Sequence, residues 1–583
     1  MNAGAILFAL VLLGALVSFG VNYHDPNDFK WAGISVLGGI SVLALPSSPI
    51  LNGKIAVDKI DIAVLLFIGY ALLSLAWSPD PASGLAFIFK FSLCAVIFLA
   101  IKNTGKEEQL KYYCIAISVA LCVVLSFLAL EIGANAGFVN ENYLTEFLLL
   151  GLPFLVGLAA IYRNLAVRIA VVVLTVAIVG YLIFFNPSKL EFAIIPGAAL
   201  LALAISPWPR NKKYVPVAWL IILLAMSFFV WNKWIEDSEL RDSIYPRIAL
   251  NVNTFIMWLE NPLLGNGAGS FSALYPLYQE RHLAWLDVGK GFMSLKQTQA
   301  GAAHNEYLQL LTSFGLLGAS IVLWFMFRLT KSVRNNKNPM VWIGGAVAVI
   351  CMINALLEFP LQNPATAILA VIGLGFLAKS ADEKHVIEMQ IGQIGTITLL
   401  LLAGMSAITI GYGAYRFDEA QMHYTNGAKY INADPEYAFK ETMKAHRLYP
   451  LDTFMRTNLY VLTTRWQEVT NQSPLPPEEV DNIFKIAISA GPNTNLLLAR
   501  IQYLINSNRY VGRKDEIENW FSHLSRNATR IVDVWLLDSY YKILVGKPSE
   551  AQESLQKAVK LGLTENQQQL FANLQNMMSE RMK

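Results

Sequence analysis

His304-Asn305-Glu306-Tyr307-Leu308-Gln309 places a histidine, an asparagine and a glutamate where a long polar loop re-enters an apolar stretch that continues through Gly315-Leu316-Leu317-Gly318. An imidazole can take and return a proton near neutral pH, and a neighbouring amide or carboxylate can orient the ring or bind a hydroxylated substrate. At a membrane–water boundary, such a group is suited to chemistry on a lipid-linked substrate. For His304 alone, a structural hydrogen bond at a helix end is an equally good account.

Four further segments offer polar groups near the same boundary. The loop before His304 carries Arg241 and Arg247, then an amphipathic helix over 248–260 with Leu250, Phe255 and Trp258 on its apolar side. Next come Asn261-Pro262-Leu263-Leu264-Gly265-Asn266-Gly267-Ala268-Gly269, then Tyr275, Tyr278 and Arg281. The arginines and the backbone amides of 265–269 could meet a phosphate. A nucleotide loop is excluded, because no strand precedes the glycines and no Lys-Ser/Thr follows them. Lys189 and Glu191 lie at a very short hairpin, and Asn140, Glu141 and Asn142 lie in the preceding loop. A charge so close to the membrane is costly unless it is paired or functional. Glu236, Asp237, Glu239 and Asp242 show no metal-ligand spacing, so no metal site is expected, and the acids read as solvated.

The elements that position these residues are mostly membrane helices. The 583 residues are 55% hydrophobic and 15% charged, with positive mean hydropathy; soluble domains carry more charge. The formal net charge of +3 is too small to imply nucleic acid. Cys94, Cys114, Cys122 and Cys351 all fall in apolar stretches and read as small packing residues. A span needs roughly 20 apolar residues. Thirteen candidates lie at about 3–20, 31–51, 60–77, 84–102, 112–132, 144–162, 166–185, 189–206, 214–231, 307–328, 340–358, 363–379 and 392–412. The first is read as a span rather than a cleaved signal. Basic loops at 102–111, 162–168, 207–213, 328–337 and 379–385 alternate with loops poor in Lys and Arg. The basic loops should therefore be cytoplasmic. The loop 232–306 and the tail 413–583 are then expected on the outer side.

From Arg416 onward the chain is polar. Apolar residues recur at three-to-four-residue spacing over 438–448, 453–463, 480–490, 493–506, 515–524, 531–544 and 548–561, with Pro or Gly between several of these segments. The pattern predicts a helical-repeat, TPR-like domain, a type of stack that binds other chains. The plainer alternative is a cap that stabilises the membrane part. The expected fold is all-α: a polytopic membrane protein of about 12–13 spans, with 1–231 as N-terminal membrane helices, 232–306 as the outer loop, 307–412 as C-terminal membrane helices and 413–583 as the tail domain.

In this order the motifs resemble the superfamily of O-antigen ligases, O-antigen polymerases and bacterial protein O-oligosaccharyltransferases. Asn140-Glu141-Asn142-Tyr143-Leu144 is similar to its Asn-x-Asn segment. Pro187-Ser188-Lys189-Leu190 is similar to its Ser-Arg-Gly segment, with Lys189 where arginine is usual. Arg247 through the glycine turn, and His304 through Gly318, resemble the signatures that open and close its loop. Leu357-Glu358-Phe359-Pro360-Leu361 resembles a segment of the protein-glycosylating branch. The resemblance spans about 135–380 and implies a GT-C-like fold in a bacterial inner membrane, with the loop and tail in the periplasm. It implies an undecaprenyl-pyrophosphate-linked oligosaccharide as donor, no cofactor and inversion at the anomeric carbon. His304 would be general base. Arg247 and Lys189, with Arg241 or Arg281, would face the pyrophosphate. Asn140, Asn142, Tyr275, Asn305 and Glu306 would bind sugar or orient the base.

The acceptor stays open between a protein Ser/Thr, as in a pilin, lipid A-core and a growing polymer. A helical-repeat tail on the side of the loop favours a protein. A transporter would carry polar stripes through several helices, whereas the polar groups here gather at one face. An assembly scaffold would be indifferent to the loss of His304.

Overall fold

The structure is a computed structural model. It describes residues 54–103, 110–130, 141–162, 164–184, 238–278, 302–333, 338–381, 386–390 and, with breaks, 392–582. The membrane part contains α1 (Lys59–Ser74), α2 (Pro81–Asn103), α3 (Leu110–Ala129), α4 (Glu141–Ile161) and α5 (Leu165–Phe184). These are followed by α6 (Ser238–Glu260), α7 (Ser270–Tyr278), α8 (Glu306–Val333), α9 (Pro339–Asn354) and α10 (Pro364–Ser380). Among the described residues, five segments are long and apolar enough to cross a membrane: Pro81–Asn103, Lys111–Ala129, Glu141–Ile161, Leu165–Leu182 and Glu306–Thr330. The chain is an all-α, multi-pass membrane protein. The expected spans at 3–20, 31–51, 189–206 and 214–231 lie outside the described residues, and only scattered positions of 392–412 are described.

The helices start and stop for local reasons. Asp58 caps α1 through the amides of Ile60 and Asp61, and Asp61 returns the contact to the Asp58 amide. Asn338 and Asn363 cap α9 and α10, each followed by a proline that suits the first helical turn. Helix α10 packs against α2, α4, α8 and α9, and nearly its whole surface is buried. A helix apolar on every side is a core helix. By contrast Val172, Val173 and Val176 on α5, and Leu323 and Phe327 on α8, are exposed, as expected of residues facing lipid chains.

At the α2 C-terminus, Lys102 is buried with its Nζ 2.6 Å from Asp58 and 2.5 Å from Asp61. Lys102 therefore contributes an internal ion pair rather than a basic loop charge. A two-stranded sheet also had no warning in the sequence: β1 (Lys54–Val57) pairs antiparallel with β2 (Ile387–Gln390).

Helix α8 is broken at Gly315, whose φ is 60° and ψ is −166°. The amides freed by the break, on Leu316 and Leu317, donate to the carbonyls of Pro262 and Leu263. The carbonyls of Thr312 and Ser313 accept from the amides of Asn266 and Gly267. Irregular backbone at membrane depth is tolerated because the loop satisfies it. Glycine is required on both sides of this stitch. A Cβ on Gly315 would lie 2.3 Å from the Leu263 carbonyl oxygen, and one on Gly265 would lie 2.5 Å from the Gly315 nitrogen.

The tail contains α11 (Pro435–Leu448), α12 (Pro477–Ser489), α13 (Thr494–Asn506), α14 (Lys514–Asn527), α15 (Val532–Leu544), α16 (Pro548–Leu561) and α17 (Glu565–Met582). Helices α11 to α15 share a core around Tyr460, Leu497, Ile501 and Ile517. Trp535, Leu536, Ile543, Leu555 and Leu574 join α15, α16 and α17 in a second core. Helix α17 is absent from the sequence expectation; it is largely exposed and rich in Gln and Asn, with Leu574 fully buried. Helix α14 approaches α7, so the tail and the loop meet at one end of the bundle.

Candidate functional site

The beginnings of α4, α8 and α10 and the end of α9 lie at the end of the bundle where the loop packs. The expected span over 340–358 stops at Asn354, because residues 355–363 turn between α9 and α10. That turn carries Glu358. Glu306 and Tyr307 tie it to the start of α8. The Glu306 amide donates to the Ala355 carbonyl, and the Leu361 amide donates to Glu306 Oε1 at 2.9 Å. Tyr307 Oη donates to the Met352 carbonyl at 2.8 Å.

Glu358 is 1% exposed and is met by three groups from distant parts of the chain. His304 Nδ1 lies 2.8 Å from Oε2, Arg247 Nη2 donates to Oε1 at 2.5 Å, and Asn142 Nδ2 donates to the same oxygen at 2.9 Å. The burial of this carboxylate is offset by the charge-assisted bonds it accepts. With Nδ1–H directed at Glu358, the other ring nitrogen, Nε2, carries the lone pair and can take a proton. The imidazole is fixed further by an edge contact with Phe359, at 4.9 Å between ring centroids, and Phe359 is in turn braced by Tyr143. His304 also has φ 51°, a backbone conformation that non-glycine residues seldom adopt and that often accompanies a functional site. His304 is 31% exposed and Arg247 19%, so both reach solvent from a buried partner.

Of the expected site residues, His304, Arg247 and Asn142 are thus gathered at one carboxylate. Asn305 uses its side-chain oxygen to accept the Leu308 amide and so caps α8, while Glu306 braces the Glu358 turn. The partner of the histidine ring is Glu358 rather than either of these neighbours. Tyr275 is buried beside Phe271, Met257 and Ala303, with the Asn253 amide 3.5 Å from its hydroxyl. Burial pushes its phenol up to about 12 despite that contact, so it stays protonated at neutral pH. Asn140, Lys189 and Arg281 lie outside the described residues, as does the side chain of Arg241, whose backbone belongs to α6.

The glycine turn has a different role from the one expected. The amides of Gly265, Asn266 and Gly267 donate to backbone carbonyls, and that of Ala268 donates to Ser74 Oγ. The Gly265 amide closes the turn on Asn261, and the other three hold the loop to α8 and α1, so these four amides are not available to a phosphate. Helix α6 also differs from its expected stripe. Its buried positions include Asn253, Thr254 and Met257, whereas Phe255 is exposed. The polar pair is tolerated because Thr254 Oγ1 donates to the Leu250 carbonyl and Asn253 reaches Tyr275.

Glu358 is the member of this cluster that motif spacing did not single out, although its segment was legible as a motif. A carboxylate between two spans, in a loop without basic residues, was the available signal. Glu146, one turn beyond Asn142 on α4, is also buried, and among the described residues neither of its carboxylate oxygens has a hydrogen-bond partner. Among the described residues no group of three or more His, Cys, Asp or Glu has the geometry to hold a metal ion.

Residues 152–323 match the family model for O-antigen ligase. The match spans Arg247, the glycine turn and His304, and leaves Asn142, Glu358 and the tail outside it. Comparison with curated proteins gives no match.

Proposed function

We propose, from the chain's membership of the O-antigen ligase superfamily, that it moves an oligosaccharide from undecaprenyl pyrophosphate to a hydroxyl acceptor in the bacterial periplasm, with a protein Ser or Thr as the acceptor. The family points to glycosyl transfer from a lipid-linked donor. The observation that carries the site assignment is the convergence of His304, Arg247 and Asn142 on the buried Glu358.

In this reading the acceptor oxygen attacks the anomeric carbon as the bond to the pyrophosphate oxygen breaks. His304 Nε2 takes the hydroxyl proton, while Glu358 holds the ring and stabilises the imidazolium that forms. Undecaprenyl pyrophosphate leaves with the bonding electrons. Arg247 and Lys189, with Arg241 or Arg281, stabilise its charge. Attack opposite the leaving group inverts the anomeric centre. Pyrophosphate is already a good leaving group, so neither a metal nor a nucleotide sugar is required. Residues 232–306 form the periplasmic catalytic loop between membrane segments 1–231 and 307–412, and 413–583 form a TPR-like periplasmic domain. The approach of α14 to α7 supports a tail that presents a polypeptide to the loop. The runner-up acceptor is lipid A-core, favoured by the description of the matched family.

The test is transfer in a host supplied with a lipid-linked oligosaccharide and a candidate pilin. At equal expression His304→Ala should lower transfer by about two to four orders of magnitude. Undiminished transfer by the variant would remove His304 from the mechanism. Glycan appearing on lipid A-core or as lengthened polymer would reassign the acceptor.

A further inference from the structure

Helices α14, α15 and α16 enclose a cleft of about 350 Å³ in the tail. Its walls carry Glu518, Asp538 and Glu550 against Lys542, Lys547 and Lys557, so acids and bases are equal in number. Lys542 lies 2.8 Å from Asp538, and Lys547 lies 3.4 Å from Glu518. Between them lie Phe521, Trp535 and Tyr541. Tyr541 is 3% exposed, and among the described residues its hydroxyl has no hydrogen-bond partner. A buried polar group without a partner is costly, and this one lines the cleft. Burial and the nearby Glu518, Asp515 and Asp538 push the phenol up to about 12, so it remains a donor at neutral pH.

These features select among occupants. Paired lysines give little attraction to a phosphate or a lipid headgroup. Lys557 Nζ sits 4.4 Å above the Trp535 ring, which blocks that face from stacking on a sugar. An extended polypeptide fits: it supplies carbonyls for Tyr541, small side chains for the aromatic floor and no charge that would have to displace an ion pair. One wall of the cleft, α14, is the helix that approaches α7. Helix α7 shares a core with Ala303, the residue before His304.

We infer that this cleft docks an uncharged, extended segment of the acceptor polypeptide and so delivers its Ser or Thr to the catalytic loop. The inference rests on the protein-acceptor reading above. It can be tested on the full-length protein in nanodiscs with fluorescein-labelled 15-residue peptides of Ser, Thr, Ala, Gly and Pro. Acidic and basic counterparts and a soluble oligosaccharide serve as comparison probes. Tyr541→Phe should weaken binding of the uncharged peptide about three- to tenfold by anisotropy. Ser522→Arg, at the exposed rim, should abolish it. In transfer assays both variants should raise the KM for peptide and leave the KM for the lipid-linked donor unchanged. Equal binding by wild type and both variants, no binding by wild type, or preference for a charged peptide or the oligosaccharide would overturn the docking assignment. Peptide binding lost in both variants, with glycan transferred only to lipid A-core or polymer, would uphold the cleft and overturn the protein acceptor.

Discussion

Two regions of this molecule bury an arginine–carboxylate cluster, and they are built in opposite ways. At the membrane boundary one carboxylate, Glu358, serves three donors from α4, α6 and the segment before α8. In the tail one buried arginine, Arg500, serves two carboxylates: Nη1 lies 2.6 Å from Asp481 and Nε lies 2.8 Å from Glu516. Its guanidinium also covers the Phe484 ring at 4.5 Å, and Arg509 and Arg513 add further bonds to the same acids. In the tail the central residue is 2% exposed and every partner is another part of the same helical tail. At the boundary the centre is equally buried, but His304 and Arg247 face outward with donor or acceptor capacity left over. The first arrangement fixes a fold. The boundary cluster holds two groups at a set spacing with part of each side chain left exposed, as the proposed function requires.

The largest effect should come from removing the shared carboxylate. Glu358→Ala frees His304 to adopt either tautomer and leaves Arg247 without its anchor. Transfer should fall by about two orders of magnitude or more, with the thermal transition of the tail unchanged. Glu358→Gln should lose a comparable factor while keeping the bonds from Arg247 and Asn142, since its amide nitrogen would donate to Nδ1 and leave the ring proton on Nε2, the nitrogen that must act as base. Full activity in both variants, measured as glycan transferred at saturating donor, would reduce the cluster to a packing feature like that in the tail.

This contrast also explains what the sequence made legible. His304 and Arg247 stood out because each belongs to a local pattern. Glu358 had a recognisable segment but no partner within reach along the chain; its contacts to His304 and Arg247 join positions 54 and 111 residues apart. They exist only because the α9–α10 turn, the start of α8 and α6 meet at one end of the bundle. The helices from α1 to α5 and from α8 to α10 were readable because long apolar runs have few alternatives. The pairing of β1 with β2 was not, because two four-residue strands far apart in sequence leave no periodic signal of their own. The glycine turn was legible as a turn but not in purpose, since two of its amides satisfy carbonyls at a helix break at Gly315 that residue types alone do not announce. Helix α17 lacked the apolar stripe that revealed its neighbours.

A smaller effect is expected from breaking the tail cluster. Arg500→Leu leaves Asp481 and Glu516 partly buried with fewer donors, and should cost about 3 kcal/mol of tail stability. A thermal scan of the purified full chain in detergent would show the tail transition shifted down and the membrane part unmoved. Transfer to a small hydroxyl acceptor should survive, because no group at Glu358 has changed. Parallel loss of both would mean that the tail and the boundary site fold as one unit.

The smallest effect, and the one that separates the two clusters without a mutation, is the response of the tail to acid. Burial pushes the Asp481 carboxyl up, but hydrogen bonds from Arg500 and Arg509 outweigh it and hold the group below its usual range. Glu516 is lowered in the same way by Arg500 and Arg513, against the same burial. A carboxylate whose folded value lies below its unfolded value binds protons more readily when unfolded, so it stabilises the fold fully above the unfolded value, about 4. That contribution fades as the pH falls further, through the folded values. Tail stability should therefore be flat in these terms from pH 8 to 5 and decline below about pH 4. In Arg500→Leu the decline should be shallower, because the groups that depress the two carboxylates are fewer. An equally steep acid limb in the variant would show that other carboxylates govern it, among them Glu441, which Lys444 and His423 also hold below its usual range against the opposing push of burial.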